Sequence, residues 1–292
     1  MADNFPWNST VGITLIFVAA IFIVTSIVRI YKIIKGKEEQ SGSSEESFAP
    51  ADGYYFYNGH RLNLSDTDII TILQKYFPYY NFLEPCLQAK FKERVRQFMS
   101  VKTFIIPQDE TYKEVPVLLS ATAVQLTFGL DDFALSWFKY VQVHAEEYLA
   151  DDPHAFRILA GHVEGKTITI AWNQFLNGVK DVADGINVGL HELAHALYYQ
   201  HVVADNGREK IFIKELGEVM EEGEEVYELK KTTQVLFTDY AYKNLQEFWA
   251  ESIEIFFEKP ETMLTCYPAL YSSIKELLNQ DPINKSNPLL LN

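Results

Sequence analysis

Apolar residues recur along much of this chain at two different spacings. Side chains three and four positions apart share one face of a helix, whereas strands carry alternating patterns or short runs of β-branched and aromatic residues. Helical spacing predicts helices over residues 66–77, 87–99 and 117–128. Strand-like runs occupy residues 138–143, 157–163 and 166–172, with a hairpin turn at residues 164–165 between the last two. These elements predict an α+β domain that is mainly helical.

The longest apolar stretch lies near the amino terminus. Residues 5–28 contain no charged side chain, and residues 11–28 are almost wholly apolar. About 20 apolar residues in a helix span a hydrocarbon core roughly 30 Å thick, so we predict one transmembrane helix here. With its basic flank, this helix covers residues 11–34 and follows a short tail at residues 1–10.

Basic residues predict the orientation of this helix. Four of them follow the apolar stretch, namely Arg29, Lys32, Lys35 and Lys37. Because basic residues favour the cytoplasmic side, we predict a single-pass protein of a cell inner membrane, with the rest of the chain in the cytoplasm. A cleaved signal peptide would need its basic residues before the apolar run and a small-residue cleavage site after it, and the sequence has neither.

A polar segment follows the predicted membrane helix. Residues 38–53 are small, polar and acidic, which is typical of a flexible tether. We therefore predict a linker at residues 35–53 and one folded domain at residues 54–292. The two cysteines are far apart in the sequence, and they predict neither a disulfide framework nor a thiolate metal site.

The overall charge limits the class of function. A net charge of −15 argues against nucleic-acid binding, because a phosphate backbone requires a basic surface. Much of the acidity is local, since residues 215–228 contain seven glutamates. This segment is predicted to be a solvated helix or loop.

The segment His191-Glu192-Leu193-Ala194-His195 carries the clearest chemistry of the chain. Two histidines four positions apart lie on one side of a helix, so both imidazoles can bind one metal ion. Glu192 lies beside them, where a carboxylate can accept a proton from metal-bound water without binding the metal. The pattern predicts a zinc site with His191 and His195 as ligands and Glu192 as general base. The same pattern also occurs by chance in helices that bind no metal. Whether this segment is a zinc site therefore depends on a third ligand elsewhere in the chain.

One source of a third ligand is the same helix. In metzincins a glycine breaks the helix and a further histidine returns to the metal, but Tyr198 occupies the glycine position here. On an unbroken helix His201 lies about 15 Å along the axis from His191. This distance is too long for both residues to bind one ion.

The other source is an acidic helix predicted over residues 246–257. Glutamates at positions 247, 251, 254 and 258 share one face, and large apolar residues crowd the rest of its circumference. A buried carboxylate requires a cation or a hydrogen-bond donor, and a zinc site supplies both. We predict that Glu247 binds zinc and that Glu251 holds a ligand imidazole by its other N–H. Glu254 is the alternative third ligand.

Several short segments in a fixed order resemble the Mlc titration factor A family, which comprises glucose-regulated zinc metallopeptidases with a site layout similar to that of anthrax lethal factor. The most distinctive are HELAH at 191–195 and EFWAE at 247–251, with Tyr240 seven residues before Glu247. Further matching segments are LTFGL at 126–130, DGINV at 184–188, FFEKP at 256–260 and QDP at 280–282. The resemblance covers most of the predicted folded domain.

The resemblance implies a zincin-like metallopeptidase domain. The family's zinc ligands correspond to His191, His195 and Glu247, its general base to Glu192, and its active-site tyrosine to Tyr240. A phenol near the zinc can donate a hydrogen bond to the oxyanion that forms during peptide hydrolysis. The resemblance also implies aminopeptidase-like activity and, in some members, binding to a transcriptional regulator. One departure is Tyr198, where the family often has an aspartate.

The sequence thus predicts a zinc-dependent peptidase, anchored in the membrane through residues 11–28, that acts on peptide or protein substrates. The alternative is a membrane-tethered regulatory or binding protein that keeps the zinc fold with little turnover. Glu192 favours the enzyme, because a protein that only binds needs no general base. A purely structural zinc site is disfavoured, because such sites are normally closed by a fourth protein ligand.

Overall fold

A computed structural model of the protein describes residues 54–58, 64–107, 113–149, 158–203, 210–228 and 236–290. The chain divides into two units, Met1–Ala49 and Pro50–Asn292, and all described residues belong to the second. The tail, transmembrane helix and linker predicted at residues 1–53 lie outside the described residues. Within the described ranges, no helix combines the length and the apolar character needed to cross a membrane.

Helices make up most of the described chain. In order they are α1 (Asp66–Tyr76), α2 (Pro78–Phe82), α3 (Pro85–Val101), α4 (Glu114–Thr127), α5 (Trp172–Lys180), α6 (Val188–Tyr198), α7 (Lys210–Glu228), α8 (Leu245–Glu258), α9 (Pro260–Cys266) and α10 (Pro268–Leu278). A π-helical turn, Tyr199–Val203, continues α6, and a 3-10 turn, Ala241–Lys243, precedes α8. The strands are β1 (Tyr54–Asn58), β2 (Thr103–Pro107), β3 (Tyr140–His144), β4 (Tyr148–Leu149), β5 (Ile158–Leu159), β6 (Gly161–Glu164) and β7 (Thr167–Ala171). The domain is α+β and mainly helical, as the sequence predicts.

Five of the described strands form one mixed sheet in the order β1-β2-β3-β7-β6. Strands β2, β3 and β7 run parallel, and the two outer strands pair antiparallel to their neighbours. Strands β6 and β7 form the predicted hairpin, and Gly165 in its turn has a φ of 55°, which glycine adopts without steric cost. No other described strand pairs with β6, so this strand is an edge of the sheet.

One face of the sheet packs on helices α4 and α6. Side chains alternate between the two faces of a strand, and the apolar positions Val141, Ile168 and Ile170 face the helices. They surround a small void together with Leu119 of α4 and Leu193 of α6. This packing holds α6 under the sheet, close to the β6 edge.

The predicted elements agree with the structure except at a few boundaries. The predicted helices correspond to α1, α3 and α4, although α3 and α4 begin earlier than the apolar spacing indicates. The strand predicted at residues 157–163 is two short strands, β5 and β6, separated at Ala160. The acidic segment at 215–228 is helical and belongs to α7, which buries Leu216 and Val219.

Candidate metal site

Helix α6 brings the two histidines of the HExxH segment together. The helix begins at an N-cap, Asn187, whose side chain accepts a hydrogen bond from the backbone N–H of Leu190. His191 Nε2 and His195 Nε2 lie 3.2 Å apart, and the ring centroids are 4.8 Å apart. Both Nε2 atoms therefore point to one place beside the helix.

Helix α8 brings Glu247 to the same place. The side chain of Asn244 caps this helix by accepting hydrogen bonds from the backbone N–H groups of Gln246 and Glu247. Glu247 Oε2 lies 3.1 Å from His191 Nε2 and 3.2 Å from His195 Nε2. Helix α8 is held against α6 in part by Trp249, whose Nε1 donates to the carbonyl of Ala194 at 2.8 Å.

These three side chains fit a metal ion. One ligand atom from each of His191, His195 and Glu247 lies within 4.8 Å of the other two. Two imidazoles and one carboxylate are a donor set of catalytic zinc sites, which keep a fourth position open. The group could therefore bind a metal ion.

The protonation of the cluster also favours a cation. Burial acts to raise the pKa of Glu247, but the hydrogen bonds from His191 and His195 outweigh it and hold this pKa well below its usual range. Burial acts to lower the pKa of His191, but the hydrogen bonds to Glu247 and Glu254 raise it to about 10. A proton on His191 thus balances the carboxylates, and a bound metal ion would replace that proton.

The carboxylate on the other nitrogen of His191 belongs to Glu254. Glu254 Oε1 lies 2.7 Å from His191 Nδ1, and the side chain is buried. Glu251, which the sequence assigned to this role, instead accepts hydrogen bonds from the backbone N–H and the hydroxyl of Thr238. The contact predicted for Glu251 is therefore made by Glu254. The crossing of α8 over α6 turns Glu254, and not Glu251, towards the imidazole of His191. Glu254 is also disfavoured as the third ligand, because it meets Nδ1 while Glu247 meets Nε2.

Asn187 is a site residue that the sequence analysis missed. Its backbone N–H donates to Glu254, and its side-chain Nδ2 donates to Glu258 Oε1 at 2.9 Å. Glu258 is partly enclosed, and burial raises the pKa of its carboxyl to about 7. The signal for Asn187 was present in the sequence, because asparagine immediately before an apolar helical run is a common N-cap.

Glu192 lies buried against the edge strand β6. A Cβ atom added to Gly161 would lie 2.5 Å from Glu192 Cγ and 2.7 Å from Glu192 Oε1, so only glycine permits this approach. Burial raises the pKa of Glu192 to about 7. A carboxyl with a pKa near neutrality can both accept and release a proton at physiological pH.

Tyr240 lies at the solvent side of the same cluster. Its hydroxyl donates to Glu247 Oε1 at 3.4 Å, and its ring centroid is 6.0 Å from that of His191. The side chain is 45% exposed, so the phenol can meet a molecule that enters from solvent. The ammonium of Lys243 lies 3.7 Å from the centre of the ring, in a cation–π contact.

His201 is not part of the cluster. It lies in the π-helical turn after α6, and its ring stacks on Phe212 with centroids 4.0 Å apart. Within the described residues, the metal-capable group contains His191, His195 and Glu247 and does not include His201. This position agrees with the sequence argument against a metzincin site.

The domain is α+β and mainly helical, and the ligand atoms of two histidines and one glutamate converge between two of its helices. This combination is typical of the metallopeptidase class. A comparison with protein-family models gives the same class. Residues 57–278 match the family described as glucose-regulated metallo-peptidase M90. The chain belongs to this family, which is that of Mlc titration factor A. No curated protein matches the chain.

Proposed function

We propose that the protein is a zinc-dependent peptidase of the gluzincin type, with His191, His195 and Glu247 as the zinc ligands. The observation that carries the proposal is the convergence of their three ligand atoms within 4.8 Å of one another. Three protein ligands leave a fourth position for water or substrate, which is typical of catalytic zinc sites. Membership of a metallopeptidase family supports the same function.

Glu192 is the proposed general base. When bound, zinc would polarise the substrate carbonyl and the attacking water. Glu192 would accept the proton of that water and transfer it to the leaving amine. Its close packing against Gly161 limits the positions that its carboxylate can take.

Tyr240 is the proposed donor to the oxyanion. Its phenol is already within hydrogen-bond distance of Glu247, on the solvent side of the cluster. The backbone N–H of Tyr240 donates to the Thr238 hydroxyl oxygen at 3.1 Å, and that hydroxyl donates to Glu251. Glu251 therefore positions the segment that carries the tyrosine.

The edge strand β6 is the proposed place of the substrate backbone. It pairs with β7 on one side, and Gly161 at its beginning contacts the proposed base. An extended peptide can add to such an edge through main-chain hydrogen bonds, which require no particular side chains. The substrates are therefore peptides or proteins with an extended segment.

The proposal includes an anchor in the cell inner membrane. Residues 11–28 are almost wholly apolar, and the basic residues that follow favour a cytoplasmic catalytic domain. External protease should therefore leave the domain intact in spheroplasts and digest it once the membrane is permeabilised. Digestion in intact spheroplasts would reverse the proposed orientation.

The peptidase proposal is tested with a diverse peptide mixture. The zinc-loaded chain and its Glu192→Gln variant are incubated with the mixture, and the products are read by mass spectrometry. We expect cuts that disappear in the variant while its zinc content is unchanged. The positions of the cuts distinguish the aminopeptidase-like trimming implied by the family from cleavage within chains. An unaltered chain that binds zinc but makes no cuts would favour the membrane-tethered regulatory protein.

A further inference from the structure

A cavity of about 190 Å³ lies where α2, α5, α8 and α9 meet the carboxyl-terminal segment. Aromatic and proline rings form a large part of its wall, among them Phe77, Tyr79, Phe82, Phe257, Pro260 and Pro282. None of the proposed zinc ligands lines it. The cavity is therefore separate from the site of the proposed peptide hydrolysis.

One wall of the cavity carries the carboxyl group of Glu258, which forms no ion pair with any described residue. Glu258 accepts hydrogen bonds of 2.9 Å from the backbone N–H of Gly185 and from Asn187 Nδ2. Within the described part of the chain, no lysine or arginine forms an ion pair with it. Burial raises the pKa of Glu258, and the nearby carboxylates of Asp184 and Glu254 act in the same direction. A cation at this wall would offset the cost of a half-buried carboxylate that has no ion pair.

The remaining charged groups of the cavity also favour a cation. Glu261 is a second carboxylate in the lining. Lys285 is the single basic residue of the lining, and its ammonium lies 5.4 Å from the centre of the Phe82 ring. Two carboxylates and one ammonium give the lining a net negative charge.

The volume of the cavity suits a ligand with one ring. An apolar cavity of about 150 Å³ already admits benzene, whereas pockets for drug-sized molecules begin at about 300 Å³. The present cavity therefore has room for a single aromatic ring with a short polar arm. Its aromatic wall would bury the ring, and burial of apolar surface would supply most of the affinity.

We propose that this cavity binds a small apolar amine, with its ring against Tyr79 and Phe257 and its ammonium on the carboxylate of Glu258. The ammonium donates a charge-assisted hydrogen bond to a carboxylate that forms no ion pair within the described chain. The proposal goes beyond the peptidase function and does not depend on it, because no zinc ligand takes part in the binding.

Three ligands of similar shape test the proposal on the full-length chain. Phenethylamine, phenethyl alcohol and hydrocinnamate carry the same ring with a cationic, a neutral and an anionic arm. We expect calorimetric titration to show saturable binding of the amine, binding of the alcohol that is about tenfold weaker, and no binding of the acid. Equal binding of amine and alcohol, or preference for the acid, would overturn the proposal.

Two variants locate the binding in the cavity. Glu258→Gln should make the amine and the alcohol bind equally, whereas Glu276→Gln, an exposed glutamate of α10, should keep the preference for the amine. Val179→Phe places a ring in the cavity from α5 and should abolish binding of both ligands. Undiminished amine binding in both Glu258→Gln and Val179→Phe would overturn the proposal. If a variant does not fold, the comparison of the amine, the alcohol and the acid on the unaltered chain still tests the proposal.

Discussion

At the scale of single residues, the four glutamates of α8 have four different surroundings. Glu247 meets the Nε2 atoms of both histidines, and Glu254 meets the Nδ1 atom of one of them. Glu251 holds Thr238, and Glu258 lies in the wall of a cavity. One acidic face of a helix thus serves a metal site, a loop and a separate pocket.

The roles of Glu254 and Glu251 can be separated by zinc affinity. Glu254→Gln removes the charge that orients His191 and makes it a stronger ligand, so we expect zinc affinity to fall about 10- to 100-fold. Glu251→Gln makes the same chemical change one turn earlier and should leave zinc affinity unchanged. Competition with a chromogenic chelator measures both values. A larger loss in Glu251→Gln than in Glu254→Gln would contradict the assignment.

Gly161 is expected to be essential for the proposed base. The methyl group of Gly161→Ala would lie 2.5 Å from Glu192 Cγ, so either β6 or the carboxylate must move. Because small displacements of a catalytic group are costly, we expect kcat/KM for a peptide substrate to fall by at least about tenfold. Zinc content should remain unchanged. A fully active Gly161→Ala chain would argue against Glu192 as the base.

Spacing within one helix is predictable from sequence, but contacts between helices are not. The HExxH spacing alone places His191 and His195 on one side of α6, and the four-glutamate pattern correctly predicts that part of the acidic face of α8 is enclosed. The partner of each glutamate depends on how α8 is rotated and how it crosses α6. Side chains across the whole core determine that geometry, so the sequence pattern assigned Glu251 to an imidazole that Glu254 contacts.

At the scale of elements, the acidic helix α7 contains two glycines in different surroundings. A Cβ added to Gly217 meets no atom within 4 Å, whereas one added to Gly223 would lie 2.9 Å from Phe248 Cε1. Gly217→Ala should raise the free energy of unfolding by about 0.5 to 1 kcal/mol, because alanine loses less backbone entropy in a helix. Gly223→Ala should lower it, because the buried Phe248 ring must shift. Urea unfolding checks both, and a stabilised Gly223→Ala chain would contradict this packing.

Lys102 joins α3 and β2 to the loop before β3, and it makes stability depend on pH. Its ammonium donates to the carbonyls of Leu135 at 2.7 Å and Phe138 at 2.5 Å. Burial lowers the pKa of Lys102 to about 7, below its value in the unfolded chain. Between about pH 7 and pH 10 the unfolded chain therefore binds more protons, and stability rises with pH.

The comparison with Lys102→Met isolates this dependence. From pH 7 to pH 9 the unaltered chain should gain about 2 to 3 kcal/mol of unfolding free energy relative to the variant, and below about pH 6 the difference should be constant. Urea unfolding at several pH values measures the difference. Parallel pH profiles for the two chains would show that Lys102 has an ordinary pKa.

Local elements were predictable and the long-range pairing was not. The β6–β7 hairpin follows from two adjacent strand patterns and a glycine turn, and the structure confirms it. The pairing of β1 with β2 joins Tyr54 to Pro107, and no local pattern specifies such distant partners. Helix α5 escaped prediction because it begins directly after β7, so its first residue, Trp172, continued the apolar run of the strand.

At the scale of the whole molecule, the metal group connects distant parts of the chain. His195 and Glu247 are 52 residues apart in sequence and belong to helices that pack in the core. A metal ion that binds only the folded chain stabilises it by mass action, by about 1.4 kcal/mol for each tenfold excess over its Kd. A bound metal would thus contribute to the stability of the fold as well as to the proposed chemistry.

Removal of the metal should therefore lower thermal stability. We expect EDTA to lower the Tm of the zinc-loaded chain and added zinc to restore it. His195→Ala removes one ligand, so EDTA should leave the Tm of that variant nearly unchanged. Equal effects of EDTA on both chains would mean that the stabilising metal binds elsewhere. The membrane anchor stays a prediction, because residues 11–34 lie outside the described residues.

The hydrogen bond between Trp249 and the carbonyl of Ala194 makes one of the four tryptophans an optical reporter of the helix pair. The indole lies in the core, on the helix that carries Glu247, and its N–H is bound to the helix that carries the two histidines. Indole emission shifts when this hydrogen bond lengthens or when water approaches the ring. Any ligand that changes the packing of α6 on α8 will therefore change the intrinsic fluorescence, and no dye has to be attached near the cluster.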